Sequence, residues 1–154
     1  MSAKAAGLAI QTLAQNFGND LEYLALKLIT KDTLIKVLHN GNKTLADVGH
    51  QAILGILNNV CVPKLIGRLQ QEMIGSKSTI VHAKMSHYLH VLVTLYPYEG
   101  VLDKNAAIVD TFLQQCITDA NSEARMMGRR SFLIWQKLSP ENAQMLFTSL
   151  DYHS

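Results

Sequence analysis

The sequence predicts an all-α chain, an α-solenoid of stacked helical hairpins, and three observations predict it. Apolar residues recur at three- and four-residue steps along nearly the whole chain, which is the period of a helix face. No segment alternates apolar and polar residues with β-branched enrichment between turn residues, as a strand would. Three of the helix starts also look alike, each a polar capping turn followed by a small or β-branched residue and then a polar one.

The first helix is expected from Ala5 to Phe17, with Leu8, Ala9, Leu13 and Phe17 inward and Gly18 as its stop. Asp20 can cap the second, whose inward face is Leu21, Leu24, Ala25, Leu28 and Ile29; the stripe resumes after a break near Thr30 with Leu34, Ile35 and Leu38. The turn His39-Asn40-Gly41-Asn42 leads to a third helix, Lys43 to Asn58, with Leu45, Gly49, Ala52, Ile53 and Ile56 inward. Pro63 sits near the start of a fourth, whose core side is Leu65, Ile66, Leu69 and Met73 and whose stop is Gly75.

A fifth helix runs from about Ser78 to Tyr96, burying Val81, Met85, Tyr88, Leu89 and Leu92, and Pro97 ends it because a residue before proline is disfavoured in the α region. The sixth starts at Asp103 or Lys104, with Ile108, Thr111, Phe112, Gln115 and Cys116 along one side. Asn121 or Ser122 caps the seventh, which turns Ala124, Met127, Gly128, Ser131, Trp135 and Leu138 inward. Ser139-Pro140-Glu141 places a capping serine before a proline at the first helical position, and opens a last helix with Ala143, Leu146, Phe147 and Leu150 inward.

Matching Asp47, His82 and Arg125 in the three similar starts gives offsets of 35 and 43 residues (82 − 47 and 125 − 82). These bracket the ~40 to 47 residues of HEAT and armadillo units. A single helical hairpin cannot bury both of its apolar faces, so hairpins stack, and the turns within hairpins line one edge. Such an edge presents side chains to an extended partner without a cleft.

Composition narrows the function. With 154 residues, 48% of them hydrophobic, the chain suffices for one continuous core, so residues 1–154 read as a single domain. Lys and Arg (14) nearly balance Asp and Glu (12) without a run of one sign, which argues against a nucleic-acid arm or a membrane-surface patch. No secretory signal and no apolar run of ~20 residues is present, and Cys61 and Cys116 sit in apolar stretches as packing thiols. A soluble cytoplasmic protein is the expectation.

The stretches AIQTLAQNFGNDLE, NKTLADVGHQAI, GSKSTIVHAKMSHYL and DANSEARMMGRRSFLIWQKLSPENAQMLFTSLD together resemble the C-terminal part of the TOG domains of CLASP microtubule regulators. The resemblance covers nearly the whole chain and implies a HEAT-repeat stack of about three and a half repeats, beginning inside the second repeat of the family pattern. It further implies a non-catalytic module, without cofactor or metal, that binds αβ-tubulin or microtubules through its intra-repeat turns and belongs to the cytoskeleton. The matching positions are Asn42, Lys43 and Thr44; Ser76, Lys77, Ser78 and His82; and Asn121, Ser122, Arg125 and Arg129. The family pattern has arginine at the position of His82, a residue mostly neutral at pH 7.

Plainer readings stand beside these. Lys43 and Lys77 can be ordinary solvated turn lysines, and Arg125 can pair with Asp110 or Asp119. His87 and His90, three apart on one helix, lack the further ligands a metal needs. Trp135 follows the apolar stripe and reads as core, and Ser86 and His87 diverge around a helix rather than forming a catalytic pair. The rival function is a HEAT scaffold without tubulin affinity, binding another protein through a helical face or at an apolar, sticky N-terminal end.

Overall fold

The computed structural model describes residues 2–153, and its elements are all helical. Nine α-helices occur among the described residues: α1 (Ala3–Phe17), α2 (Glu22–Leu28), α3 (Leu34–Val37), α4 (Lys43–Asn59), α5 (Lys64–Ile74), α6 (Thr79–Leu95), α7 (Ala106–Ile117), α8 (Ser122–Leu138) and α9 (Pro140–His153). They are arranged as successive hairpins, as the periodicity predicts. By contacts the chain divides into two compact units, Met1–Val81 and His82–Ser154, with the division inside α6.

In the first unit, Ser2 Oγ accepts from the Ala5 N–H at 3.1 Å, and this cap starts α1 two residues before the expected Ala5. Gly18 ends it at φ +54°, a left-handed conformation that side chains with a Cβ resist. The inward side of α1 differs from expectation. Gly7 and Ala14 are the buried residues, whereas Leu8, Leu13 and Phe17 are 53%, 39% and 55% exposed. The helix packs against α4 along its line of small residues, because small side chains permit the closest approach of two helix axes, and its large residues are left on the other side.

Asp20 does not cap α2; it lies in a 3-10 turn, Gly18–Leu21, and α2 begins without a side-chain cap. Leu24 is also partly exposed, at 37%, so this helix buries mainly Ala25, with Ile29 beyond its end. The expected break near Thr30 is real. The Thr33 hydroxyl contacts the Thr30 hydroxyl at 2.7 Å and donates to the Leu28 carbonyl, satisfying groups that an uninterrupted helix would have paired itself. In α4 and α5, Ala52, Ile53, Leu65, Ile66 and Leu69 are fully buried, each large one contributing about 1.5–3 kcal/mol. Arg68 Nη1 ties α5 to the end of α2 through the Leu26 carbonyl at 3.1 Å.

In the second unit, Tyr88, Leu89 and Leu92 of α6 are buried with Phe112 of α7 and Trp135 of α8. The Trp135 indole N–H donates to Asp110 Oδ1 at 2.8 Å and its ring meets Tyr98 edge to face at 6.0 Å, so the core reading of this tryptophan holds. Thr111 is exposed; α7 starts at Ala106 after a 3-10 turn and turns Val109, Phe112, Leu113 and Cys116 inward, a face rotated from the expected one. Gly128 lies so close to α7 that a Cβ there would sit 2.8 Å from Cys116 Cβ and 2.9 Å from the Ile117 nitrogen. Ala143 and Leu146 of α9 are buried as expected, but Phe147, one position round the helix, is 56% exposed. No helix among the described residues is long and apolar enough to cross a membrane.

Candidate functional site at the helix-joining turns

The three turns singled out by sequence share one hydrogen-bonded construction. In the first, Asn40 Oδ1 accepts from the Asn42 N–H at 2.8 Å, and Asn42 Oδ1 in turn accepts from the Thr44 and Leu45 N–H groups that open α4. In the second, Ser76 Oγ accepts from the Ser78 N–H at 3.1 Å, and Ser78 Oγ accepts from the Val81 N–H. In the third, Asp119 Oδ1 accepts from the Asn121 N–H at 2.8 Å, and Asn121 Oδ1 accepts from the Ala124 N–H at 2.9 Å. A polar residue two before the cap fixes the turn, and the cap satisfies a first-turn amide, worth about 1 kcal/mol.

This construction corrects the register of the repeat. The caps Asn42, Ser78 and Asn121 are 36 and 43 residues apart (78 − 42 and 121 − 78). Four residues beyond them stand Ala46, His82 and Arg125, so Ala46, not Asp47, is the counterpart of the other two. Of the residues that hold the caps, Asn40 and Ser76 lie in turns read from the sequence, whereas Asp119 is marked there only as a partner for Arg125. Their signal was available: a polar residue two positions before each cap.

What each turn offers differs. Asn42, Lys43 and Thr44 are exposed, with Lys43 at the first position of α4. Lys77 is exposed between the half-buried Ser76 and Ser78, and all three line a cleft of about 570 Å³ whose other walls include Lys31, His39, Gln71 and Glu72. His39 opens the first turn, so within the first unit this cleft joins the start of one turn with the whole of the next. Lys31 and His39 were not anticipated, because nothing in their local sequence marks them apart from the fold that brings them beside Lys77.

The third turn is a knot of its own. His82 Nδ1 lies 2.5 Å from Asp119 Oδ2, and Arg125 Nη1 donates to the backbone carbonyls of Asp119 and Ala120 at 2.9 and 2.8 Å. The carboxylates expected to pair with Arg125 are otherwise engaged, Asp119 by His82 and Asn121, and Asp110 by Trp135. Arg125 instead braces the turn that follows α7, where its guanidinium holds two successive main-chain carbonyls. Ser122 and Arg129 are exposed beside it. Among the described residues no group of three His, Cys, Asp or Glu is placed to hold a metal ion.

The sequence model of the family described as CLASP N terminal matches residues 2–154. The chain belongs to the CLASP N-terminal family. It is 22% identical over 144 residues to the CLIP-associating protein of Drosophila melanogaster, covering 94% of this chain and 10% of that protein. Against CLIP-associating protein 1 of Xenopus tropicalis the identity is 25% over 139 residues, 90% of this chain and 9% of that protein. The CLIP-associated protein of Arabidopsis thaliana is 21% identical over 107 residues, 70% of this chain and 7% of that protein. The chain therefore spans a tenth or less of the length of these relatives. The TOG-like resemblance read from the four sequence stretches agrees with the CLASP family and with the helical architecture.

Proposed function

We propose that this CLASP-family module binds αβ-tubulin, free or within microtubules, through its helix-joining turns, and that it acts by stoichiometric grip rather than by catalysis. The observation that carries this reading is the repeated turn construction, which holds Lys43 and Lys77 outward on two rigid, capped turns of one unit. A capped turn loses little conformational freedom on binding, and an exposed lysine steers and contacts an acidic protein surface. Asn42, Thr44, Ser76, Ser78, Asn121 and Ser122 add hydrogen-bonding groups beside those charges. Arg125 and His82 serve first to build the third turn, and the Arg125 guanidinium brings its charge there as well; Arg129 adds an exposed cation one helical turn on.

The test is gel filtration of the chain with purified αβ-tubulin, comparing wild type with Lys43→Glu/Lys77→Glu. Co-elution of the wild type and its loss in the double variant is the expected pair of results. Co-elution that survives the charge reversal removes the turns from the account. The rival, a helical scaffold without tubulin affinity, draws on the exposed Leu8, Leu13, Phe17 and Tyr23 of the α1 and α2 region, and it gains if wild-type chain and tubulin elute apart.

A further inference from the structure

Five exposed residues run along the side of α8 that faces away from its core line. Met126 and Leu133 are 42% and 59% exposed, and Arg129, Arg130 and Lys137 are exposed around them. The buried line of the helix is Ala124, Met127, Gly128, Ser131 and Trp135, so at 100° per residue the five occupy its opposite side. None of the three cations takes part in the ion pair between His82 and Asp119. Two large, exposed apolar side chains and three cations thus share one stripe of the helix.

The stripe also has a period. Arg130 follows Met126 by four residues and Lys137 follows Leu133 by four, so an apolar-then-cation pair repeats after seven residues, about 10.5 Å of helix. Seven is the repeat of two helices lying side by side, with the apolar residues in the seam and the cations flanking it where they set the choice of partner. We propose that this face of α8 docks an acidic amphipathic helix of a partner protein. Its apolar seam meets Met126 and Leu133, and its Asp or Glu side chains, spaced by seven, meet Arg130 and Lys137. A second copy of the same face would set cation against cation. An anionic membrane calls for a broader apolar face than a single seam of two residues.

The test uses the full chain and a fluorescein-labelled helix of roughly 21 residues, with Leu at the seam positions and Glu at the flanking positions of each heptad. Its companions are the same peptide with Lys for Glu, a scrambled version, and phosphatidylserine vesicles. Wild type is expected to bind the acidic helix, and Arg130→Glu/Lys137→Glu to bind it at least tenfold more weakly while accepting the Lys-bearing helix. Leu133→Ser, which leaves every charge in place, is also expected to weaken binding about tenfold, and it carries the test should the double variant fail to fold. The proposal is overturned if the acidic helix does not bind, if the scrambled peptide binds equally, if the variants bind unchanged, or if the chain associates with the vesicles but not with the helix. Because neither Lys43 nor Lys77 is altered, tubulin binding is expected to persist in these variants, so failure here and failure of the tubulin reading are separate results.

Discussion

The Arg125 side chain donates to the backbone carbonyl of Asp119 and leaves the Asp119 carboxylate to His82. The two residues that flank the third turn are thus joined through the main chain, and the arginine braces the turn between α7 and α8. Charge-assisted hydrogen bonds of this kind are worth about 1.5–3 kcal/mol each where buried and less where half-exposed. Arg125→Ala should therefore lower stability by roughly 1–2 kcal/mol, while Lys43→Ala and Lys77→Ala, at exposed positions, should stay within about 0.5 kcal/mol. Urea denaturation of the three variants distinguishes these values.

Gly128 makes a second prediction. A Cβ at this position would fall within 3.0 Å of the α7 backbone at Cys116 and Ile117, and backbone cannot move aside as a side chain can. Gly128→Ala should cost about 2 kcal/mol or more from overpacking. Gly41→Ala, where nothing lies within 4 Å, is the control and should change stability little. Thermal melting of both variants reads the contrast.

Much of this packing is legible in the sequence. The spacing of Leu65, Ile66, Leu69 and Met73 between Pro63 and Gly75 fixes α5 because both ends carry a stop or start signal and only one face is apolar. Ser139 before Pro140 marks α9 for the same reason. The chain around α1 is different: it has large apolar residues on one side and small ones on the other, and periodicity ranks the large ones higher. Which side is buried depends on how closely α4 approaches, a tertiary fact. Sequence also finds the turns but misaligns the first by one residue, since Asp47 resembles His82 and Arg125 in polarity while Ala46 shares their distance from the cap. The cleft residues Lys31 and His39 are brought to Lys77 only by the folding of α2, α3 and α5.

Burial pushes the Asp110 carboxyl above the usual aspartate range, opposed in part by its hydrogen bond from Trp135. The folded state then binds the proton more tightly than the unfolded chain, so this group favours folding most below the unfolded pKa and loses that advantage as pH rises through the folded one. Asp110→Asn keeps an acceptor for the indole N–H and removes the titration. Its melting temperature relative to wild type should rise between acidic and neutral pH. Asp110→Ala, which strands the buried N–H, should instead cost about 1–3 kcal/mol.

The two thiols differ by burial. Cys116 is fully buried and its pKa is pushed up to about 12, whereas Cys61 is half-buried and its thiol is also raised by burial. Because the thiolate is the reactive form, Ellman's reagent at pH 8 should modify Cys61 in the native protein and reach Cys116 only on unfolding. Mass spectrometry of the labelled chain assigns the order, and faster labelling of Cys116 would contradict the packing of α7 against Gly128.

Fluorescence anisotropy of labelled chain titrated with αβ-tubulin, at low and at moderate salt, tests the central claim most directly. If Lys43 and Lys77 form the gripping surface, wild type binds, binding weakens as salt rises, and Lys43→Glu/Lys77→Glu loses at least about tenfold in affinity, ~1.4 kcal/mol. Equal affinity of wild type and double variant, independent of salt, would contradict it.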